Sequence, residues 1–518
     1  MKQSLFVFLL ACLLFANCRE GEYQKITLET LRDKIAGGWA GKMIGVSYGA
    51  PTEFRANGEI YEDELTWSPD RVANALEQDD LYVQMSFMMT MDRYGLDAPA
   101  EKFAESFASA GYQLWHANVQ ARKNFQDGIM PPLSGSPTYN LHCDDIDFQI
   151  EADYIGFMCP AMPQTANRIA DKIGHIMNYG DGVYGGMFVN ALYSSAFFET
   201  DIAKIVDSAL LAIPAESDYH RCIQDVINWH QQYPNDWRLA WQALEEKWGQ
   251  VDICGALVPF NIDAKLNGAY IVMGLLYGNG DFAKTMEISI RCGQDSDCNP
   301  SNAAAVIGVM NGYQAIPEIW KSGIPAIADS QFIFTDYSFR TVVDRSLEYA
   351  KTLIKQNEGF IEAGQAVIKV QTSQAAVLEV SFPNTIPDKR ITAAEMNSWQ
   401  WSDGWQDVLS NSQIIAKVAE SANASVEFTF TGNGVVINGD WRRDGGQADV
   451  YLDGTLHRHI DTFYFWAGEQ KPGSFLWHAM NLSPGEHTVK LVLSGSKKAE
   501  SFGTKVHITG ATIFKQKS

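Results

Sequence analysis

The chain has 518 residues, of which 46% are hydrophobic and 20% charged, so it is long enough for at least two domains with substantial buried cores. Its 40 basic and 62 acidic residues give a formal charge of −22. No Lys/Arg cluster is visible, which excludes a nucleic acid or an anionic membrane surface as the expected partner, because both are bound by clustered cations.

In chain order, Lys2 precedes the apolar run Ser4 to Ala16, too short for a membrane helix of roughly 20 residues. Residues 1–17 are therefore expected to be a signal peptide of lipoprotein type. The run ends at Asn17-Cys18 and resembles a bacterial lipoprotein cleavage site, although Asn17 stands where a small residue is usual. A lipidated Cys18 would leave the protein exported, either anchored to the bacterial outer membrane or periplasmic; an ordinary secretory signal or an uncleaved anchor fits the same pattern. The six later cysteines form no C-x-x-C pair and no zinc-like Cys/His spacing, so they are expected to be buried free thiols.

From about Thr27 to Gln365 the pattern is helical. Gly37, Gly41, Gly45 and Gly49 recur every four residues, which on a helix makes one glycine stripe. Each interior glycine costs about 1 kcal/mol relative to alanine, so the stripe predicts close approach of another helix or of a ligand. It ends at Pro51 and delivers Glu53 just beyond the helix. Gln78-Asp79-Asp80-Leu81 follows and leads into an apolar segment. Neighbouring side chains on a helix diverge by about 100°, so Asp79 and Asp80 share a cation site only at a helix end or beside a second ion. The segment Ile169 to Phe198, rich in Ala and Gly, has a helical pattern, and Thr341 to Gln356 is amphipathic. Asp295 and Asp297 lie two apart in a non-helical stretch before a small-residue helix expected over Ser301 to Gly312. Carboxylates at that spacing repel unless a cation or a proton lies between them.

After about residue 366 the period changes to two. Ser425 to Thr431, Gln447 to Leu452 before Asp453-Gly454, His487 to Leu493 and Lys505 to Ile508 predict short strands and hairpins of a β-sandwich or jelly roll. Trp399, Trp401, Trp405, Trp441, Trp466 and Trp477 suit either its core or the faces of bound sugars. The expected organisation is a leader, an all-α domain over 18–365, and an all-β domain over 366–518 that could bind carbohydrate.

Taken in order, Gly49-Ala-Pro-Thr-Glu53, Gln78-Asp79-Asp80-Leu81, Asp144 to Asp153, Gly174 to Gly186 and Gly293-Gln-Asp-Ser-Asp-Cys298 resemble the motifs of the ADP-ribosylglycohydrolase family, in its bacterial branch. The resemblance covers roughly residues 30–330. It implies an orthogonally packed all-α fold with a magnesium site of one or two ions, Ca²⁺ or Mn²⁺ being alternatives. Asp79, Asp80, Asp295, Asp297 and Gln78 would be its ligands, and Glu53 and Asp80 the catalytic carboxylates. Asp145, Asp153, His175, Asn178, Asp181 and Gly185 would contribute to substrate binding. Gln78 and Cys298 stand where the family has threonine ligands; an amide oxygen serves a hard cation, a thiol poorly.

These features predict a metal-dependent glycoside hydrolase that cleaves a ribosyl or furanosyl-type bond in a small molecule or glycan outside the cytoplasm. The alternatives are a non-catalytic glycan-binding lipoprotein and a true ADP-ribosyl hydrolase.

Overall fold

A computed structural model describes residues 22–250 and 252–517. The expected leader, residues 1–17, and Cys18 lie outside the described residues. Among those described, no helix is long and apolar enough to cross a membrane, and the six cysteines are free.

Four helices position the candidate site: α1 (Leu28–Gly49), α2 (Asp79–Tyr94), α3 (His116–Gln126) and α4 (Cys298–Asn311). Helix α1 starts at Thr27, whose hydroxyl accepts the Thr30 amide at 3.0 Å as an N-cap. From Ile35 onward it is buried on every side, so it forms the centre of the helical domain. The glycine stripe faces α4. A Cβ on Gly37 would lie 2.0 Å from the Gly308 carbonyl oxygen, on Gly41 2.4 Å from that of Ala304, on Gly45 2.4 Å from that of Pro300, and on Gly49 2.1 Å from that of Ser296. As numbers rise on α1 they fall on α4, so the two helices run antiparallel with their backbones in contact. The C-terminal end of α1 therefore meets the N-terminal end of α4.

Two elements differ from the sequence reading. Helix α4 begins at Cys298 rather than Ser301, because Pro300 sits in the first turn, where a missing N–H costs no hydrogen bond. The stretch Ile169 to Phe198 is broken into Pro163–Gly174 and Asp181–Ala196, the chain turning through Gly180 at φ 50°.

The helical domain closes with a three-stranded antiparallel sheet in which Gln365–Lys369 pairs with both Tyr23–Thr27 and Phe360–Glu362. A boundary at 365/366 thus falls at the first residues of a strand that belongs to the helical domain. Residues beyond it run across that domain, with Gln371 bonded to Thr165 and the Glu379 carboxylate to His175.

The remaining strands form two antiparallel sheets facing each other. One runs Thr455–Asp461, Gln447–Leu452, Gly485–Leu493, Ser425–Gly432, Gln400–Trp401. The other runs Lys471–Ala479, Gly434–Trp441, Val506–Gln516, Gln413–Ala419, Gln406–Ser410, with Thr385–Thr392 also paired to Val506–Gln516. Alternate residues of Gly485–Leu493 are buried, as the period of two requires. Trp441 and Trp477 are core, Trp399 stacks on Phe428 at 4.0 Å, and the Trp466 indole donates to the Ala110 carbonyl of the helical domain at 2.7 Å. The two domains share an apolar cluster of Leu141, Cys143 and Ala256 with Phe382, Val436 and Phe514.

Helix propensity alone would make Gly41→Ala a gain of about 1 kcal/mol. The backbone contact reverses the sign: we expect a loss of roughly 1–3 kcal/mol or more from overpacking, measured by denaturant unfolding of the full chain.

Candidate active site

The α1/α4 contact sets Glu53 beside Asp295 and Asp297. Glu53 follows the short 3₁₀ turn Ala50–Thr52 that ends α1. Three bonds lock its loop to the aspartate turn. The Phe54 amide donates to the Gln294 carbonyl at 3.0 Å, the Gln294 amide donates to the Ala56 carbonyl at 2.8 Å, and the Thr52 and Ser296 hydroxyls bond at 2.7 Å. Asp297 is the residue that precedes α4, and Asp79 opens α2. Together these elements line a cleft of about 230 Å³ that holds Glu53, Gln78, Asp79, Asp147, Asp295 and Asp297, with Tyr82, Trp115 and His116 among its walls.

The cleft gathers carboxyl groups at close quarters. Burial, followed by the charges of Asp297, Asp79 and Asp80, raises the Glu53 carboxyl to about 8, although the residue stands at the exposed mouth. Asp79 is raised to about 6 by burial and Asp80. Asp295 is raised to about 8, again first by burial; Asp297 is driven well above the carboxylate range by burial and by Asp295, with which it shares a hydrogen bond. Asp297 Oδ1 is buried with no hydrogen-bond partner. Ligand atoms of Asp295, Asp297 and Cys298 lie within 4.8 Å of one another. The Gln78 amide nitrogen is tied to Asn74 at 2.9 Å, which leaves its carbonyl oxygen for a ligand. An orphaned carboxylate oxygen among hard oxygen donors fits a divalent cation of the magnesium or calcium kind. The Cys298 thiol does not add to that set: burial pushes its pKa well up, and it donates to Asp80 Oδ2 at 3.1 Å.

Asp80 points the other way. Its Oδ1 lies 3.2 Å from the Nζ of Lys42, which is wholly buried, and both its oxygens are engaged. Lys42 also pairs with Asp153 at 2.8 Å and donates to the Ile150 carbonyl at 2.9 Å. Asp79 therefore faces the cleft, and Asp80 forms the layer beneath it. Lys42 was not singled out from the sequence, yet it is the sole charge between Ile35 and Gly49, and that isolation was the available signal.

The six expected substrate-binding residues lie outside this cleft. Asp153 is buried among Lys42, Tyr193 and Asn302. Asn178 is buried and bonds the carbonyls of Cys143 and Asp145 at 2.9 and 2.8 Å. His175 pairs with Glu379 at 3.1 Å, and Gly185 lets the Gln149 side chain approach. Asp145 and Asp181 line a separate cavity of about 410 Å³, where Lys265 pairs with Asp263. Residues that do line the cleft but went unnoticed are Tyr82, Trp115, His116 and Asp147. Asp147 accepts the amides of Ala117 and Asn118 at 3.2 and 3.0 Å and so caps α3.

Residues 27–354 match the family model described as ADP-ribosylglycohydrolase. A curated relative, the A type blood α-D-galactosamine galactosaminidase of Flavonifractor plautii, is 26% identical over 151 residues, which is 28% of this chain and 14% of that protein. Among solved structures, an ADP-ribosylglycohydrolase-related protein complex matches with 14% identity and a TM-score of 0.44, covering 62% of this chain and 98% of that one. A two-domain esterase (CEX) active on acetylated mannans matches with 10% identity and a TM-score of 0.22, covering 38% and 51%.

The raised carboxyls bear on stability. Glu53, Asp79 and Asp295 titrate higher in the folded chain than in the unfolded one, so the folded state holds the extra protons and loses stability as pH rises. In chelator, the melting temperature is expected to fall as pH rises from about 4.5 to about 8, and Mg²⁺ is expected to flatten that slope. Thermal melts across pH with and without Mg²⁺ measure both.

Proposed function

The chain belongs to the ADP-ribosylglycohydrolase family, and we propose that it hydrolyses a ribosyl or other furanosyl-type glycosyl bond in a small molecule or glycan. The observation that carries this reading is the placement of Glu53 against Asp79, Asp295 and Asp297 in one cleft.

Glu53, whose carboxyl is held above the usual carboxylate range by burial and by the neighbouring aspartates, would serve as the general acid that hands a proton to the departing oxygen of a glycosidic bond. Asp79, Asp295, Asp297 and the Gln78 carbonyl would hold Mg²⁺, with Ca²⁺ or Mn²⁺ as alternatives. Such a cation, when bound, supplies an anchor for sugar hydroxyls and lowers the pKa of a coordinated water. Asp80, paired with Lys42, holds the start of α2 and hence the direction of Asp79. Trp115, exposed at the cleft wall, would supply flat apolar surface against which a sugar face can lie.

The leader and Cys18 support a location outside the cytoplasm, away from the usual pools of ADP-ribosylated protein. Pentofuranosides and glycans are for that reason the preferred substrates, ahead of ADP-ribosyl peptides.

Three measurements test the proposal. Glu53→Gln is expected to lower turnover roughly 10²–10⁴-fold. Asp297→Asn and chelation are expected to abolish turnover with an unchanged far-UV spectrum. Across a panel of pentofuranosides, glycans and ADP-ribosylated arginine or serine peptides, the furanosides should be turned over fastest. Full activity in Asp297→Asn would remove the metal reading, and faster turnover of the peptides would restore ADP-ribose as the substrate.

A further inference from the structure

Beside the carboxylate cleft stands a group of different chemistry, made of His116, His142 and Asp145, whose ligand atoms all lie within 4.8 Å of one another. His142 Nδ1 is 2.6 Å from Asp145 Oδ2, and His116 Nδ1 is 3.8 Å from the same oxygen. Asp145 is 2% exposed.

The backbone is strained to bring the rings together. His116 has φ 42°, the left-handed region, which is strained for a β-carbon-bearing residue. The start of α3 does not need that strain, because Asp147 already caps it through Ala117 and Asn118. What the conformation accompanies is the placement of the imidazole, stacked on Phe260 at 5.8 Å and edge-on to His142 at 5.6 Å.

The supports of the other two residues are equally fixed. Asn140 donates to the carbonyls of Ala117 on α3 and Met177 at 3.0 and 2.8 Å, and its oxygen accepts the His142 amide at 3.0 Å. Asn178 holds the Asp145 carbonyl. Phe475 of the β-domain covers His142, with ring centroids 4.8 Å apart. Rings and carboxylate held by bonds of this kind behave as a prearranged ligand set.

Charge favours a cation here. Asp144, Asp147, Asp252 and Asp263 stand near Asp145, the last three of them buried as it is. Asp252 is committed to the amides of Cys254, Gly255 and Ile262, and Lys265 to Asp263. Lys471, which faces His116 from the β-domain, is paired with Glu469 at 2.5 Å and lies over Trp115. Asp145 thus has no protein cation of its own among the described residues.

We propose that His116, His142 and Asp145 form a second metal site, for a borderline divalent ion of the zinc type, where the β-domain closes on the helical domain. Two imidazoles and one carboxylate suit such an ion, whereas the oxygen donors Gln78, Asp79, Asp295 and Asp297 next to it suit a hard one. Three protein ligands leave a coordination position for water or for an oxygen of a substrate. The site does not depend on the glycosidase reading.

The test is metal uptake by the full chain. Protein stripped by chelator and then held in excess Mg²⁺ is titrated with Co²⁺, followed by its visible absorption, and then with Zn²⁺ as competitor. One equivalent per chain is expected. His142→Gln and His116→Asn, the latter because asparagine tolerates positive φ, should each weaken zinc binding by at least about 10–100-fold. Asp297→Asn should leave it unchanged. X-ray absorption at the zinc edge should show imidazole scattering. Failure of the wild-type chain to take up zinc, or uptake indifferent to both histidine variants, overturns the site. So does uptake lost in Asp297→Asn, which would place the ion in the carboxylate cleft. Circular dichroism in chelator identifies any variant that has lost its fold, and the zinc-edge spectrum of the wild-type chain then decides the question alone.

Discussion

The structure depends on the contact between the glycine face of α1 and the backbone of α4. Four glycines at four-residue spacing forgo about 1 kcal/mol each of helix propensity, and in return no side chain separates Gly37 from Gly308 or Gly49 from Ser296. The antiparallel sense of the pair has a chemical result. Glu53 leaves the end of one helix where Asp295 and Asp297 enter the other, so residues more than 240 positions apart meet at one end of a buried helix pair. A side chain anywhere on the stripe would spread the acidic residues apart as well as loosening the core.

Beneath that cleft lies the second requirement, the buried ammonium of Lys42. An acidic cluster in a desolvated site is unstable without compensation. Lys42 offsets part of the charge by holding Asp80 and Asp153 in the layer below, while burial and mutual repulsion raise the carboxyls above it. Asp79 and Asp80 thus do different work from adjacent positions, because the first turn of α2 directs one to the cleft and the other to Lys42. Cys298 belongs to the same layer: its thiol donates to Asp80 and takes no part in the oxygen set.

The β-domain is built into the helical domain rather than hung from it. Its tryptophans fill its own core or, in Trp466, tie it to Ala110; Lys471 lies over Trp115 at the cleft wall, and Phe475 stacks on His142 beside it.

Much of this was legible in the chain itself. The four-residue glycine period demanded a close neighbour, the change of period near residue 366 separated a helical from a β-domain, and Asp295 and Asp297 ahead of a small-residue helix signalled shared charge. Local periodicity and local repulsion are properties of neighbouring residues, so a sequence displays them. What tertiary structure alone decided was direction and company. The strand Gln365–Lys369 belongs to the helical domain because its partner is Tyr23–Thr27, at the other end of that domain. Asp153, His175 and Asn178 bear polar groups suited to a substrate, but the packing of the helices commits them to Lys42, Glu379 and main-chain carbonyls. His116 and His142 carry no spacing motif and meet only because Asn140 ties their segments together and Phe475 covers them. Such meetings depend on which helix faces come together across long separations, and no local period encodes that choice.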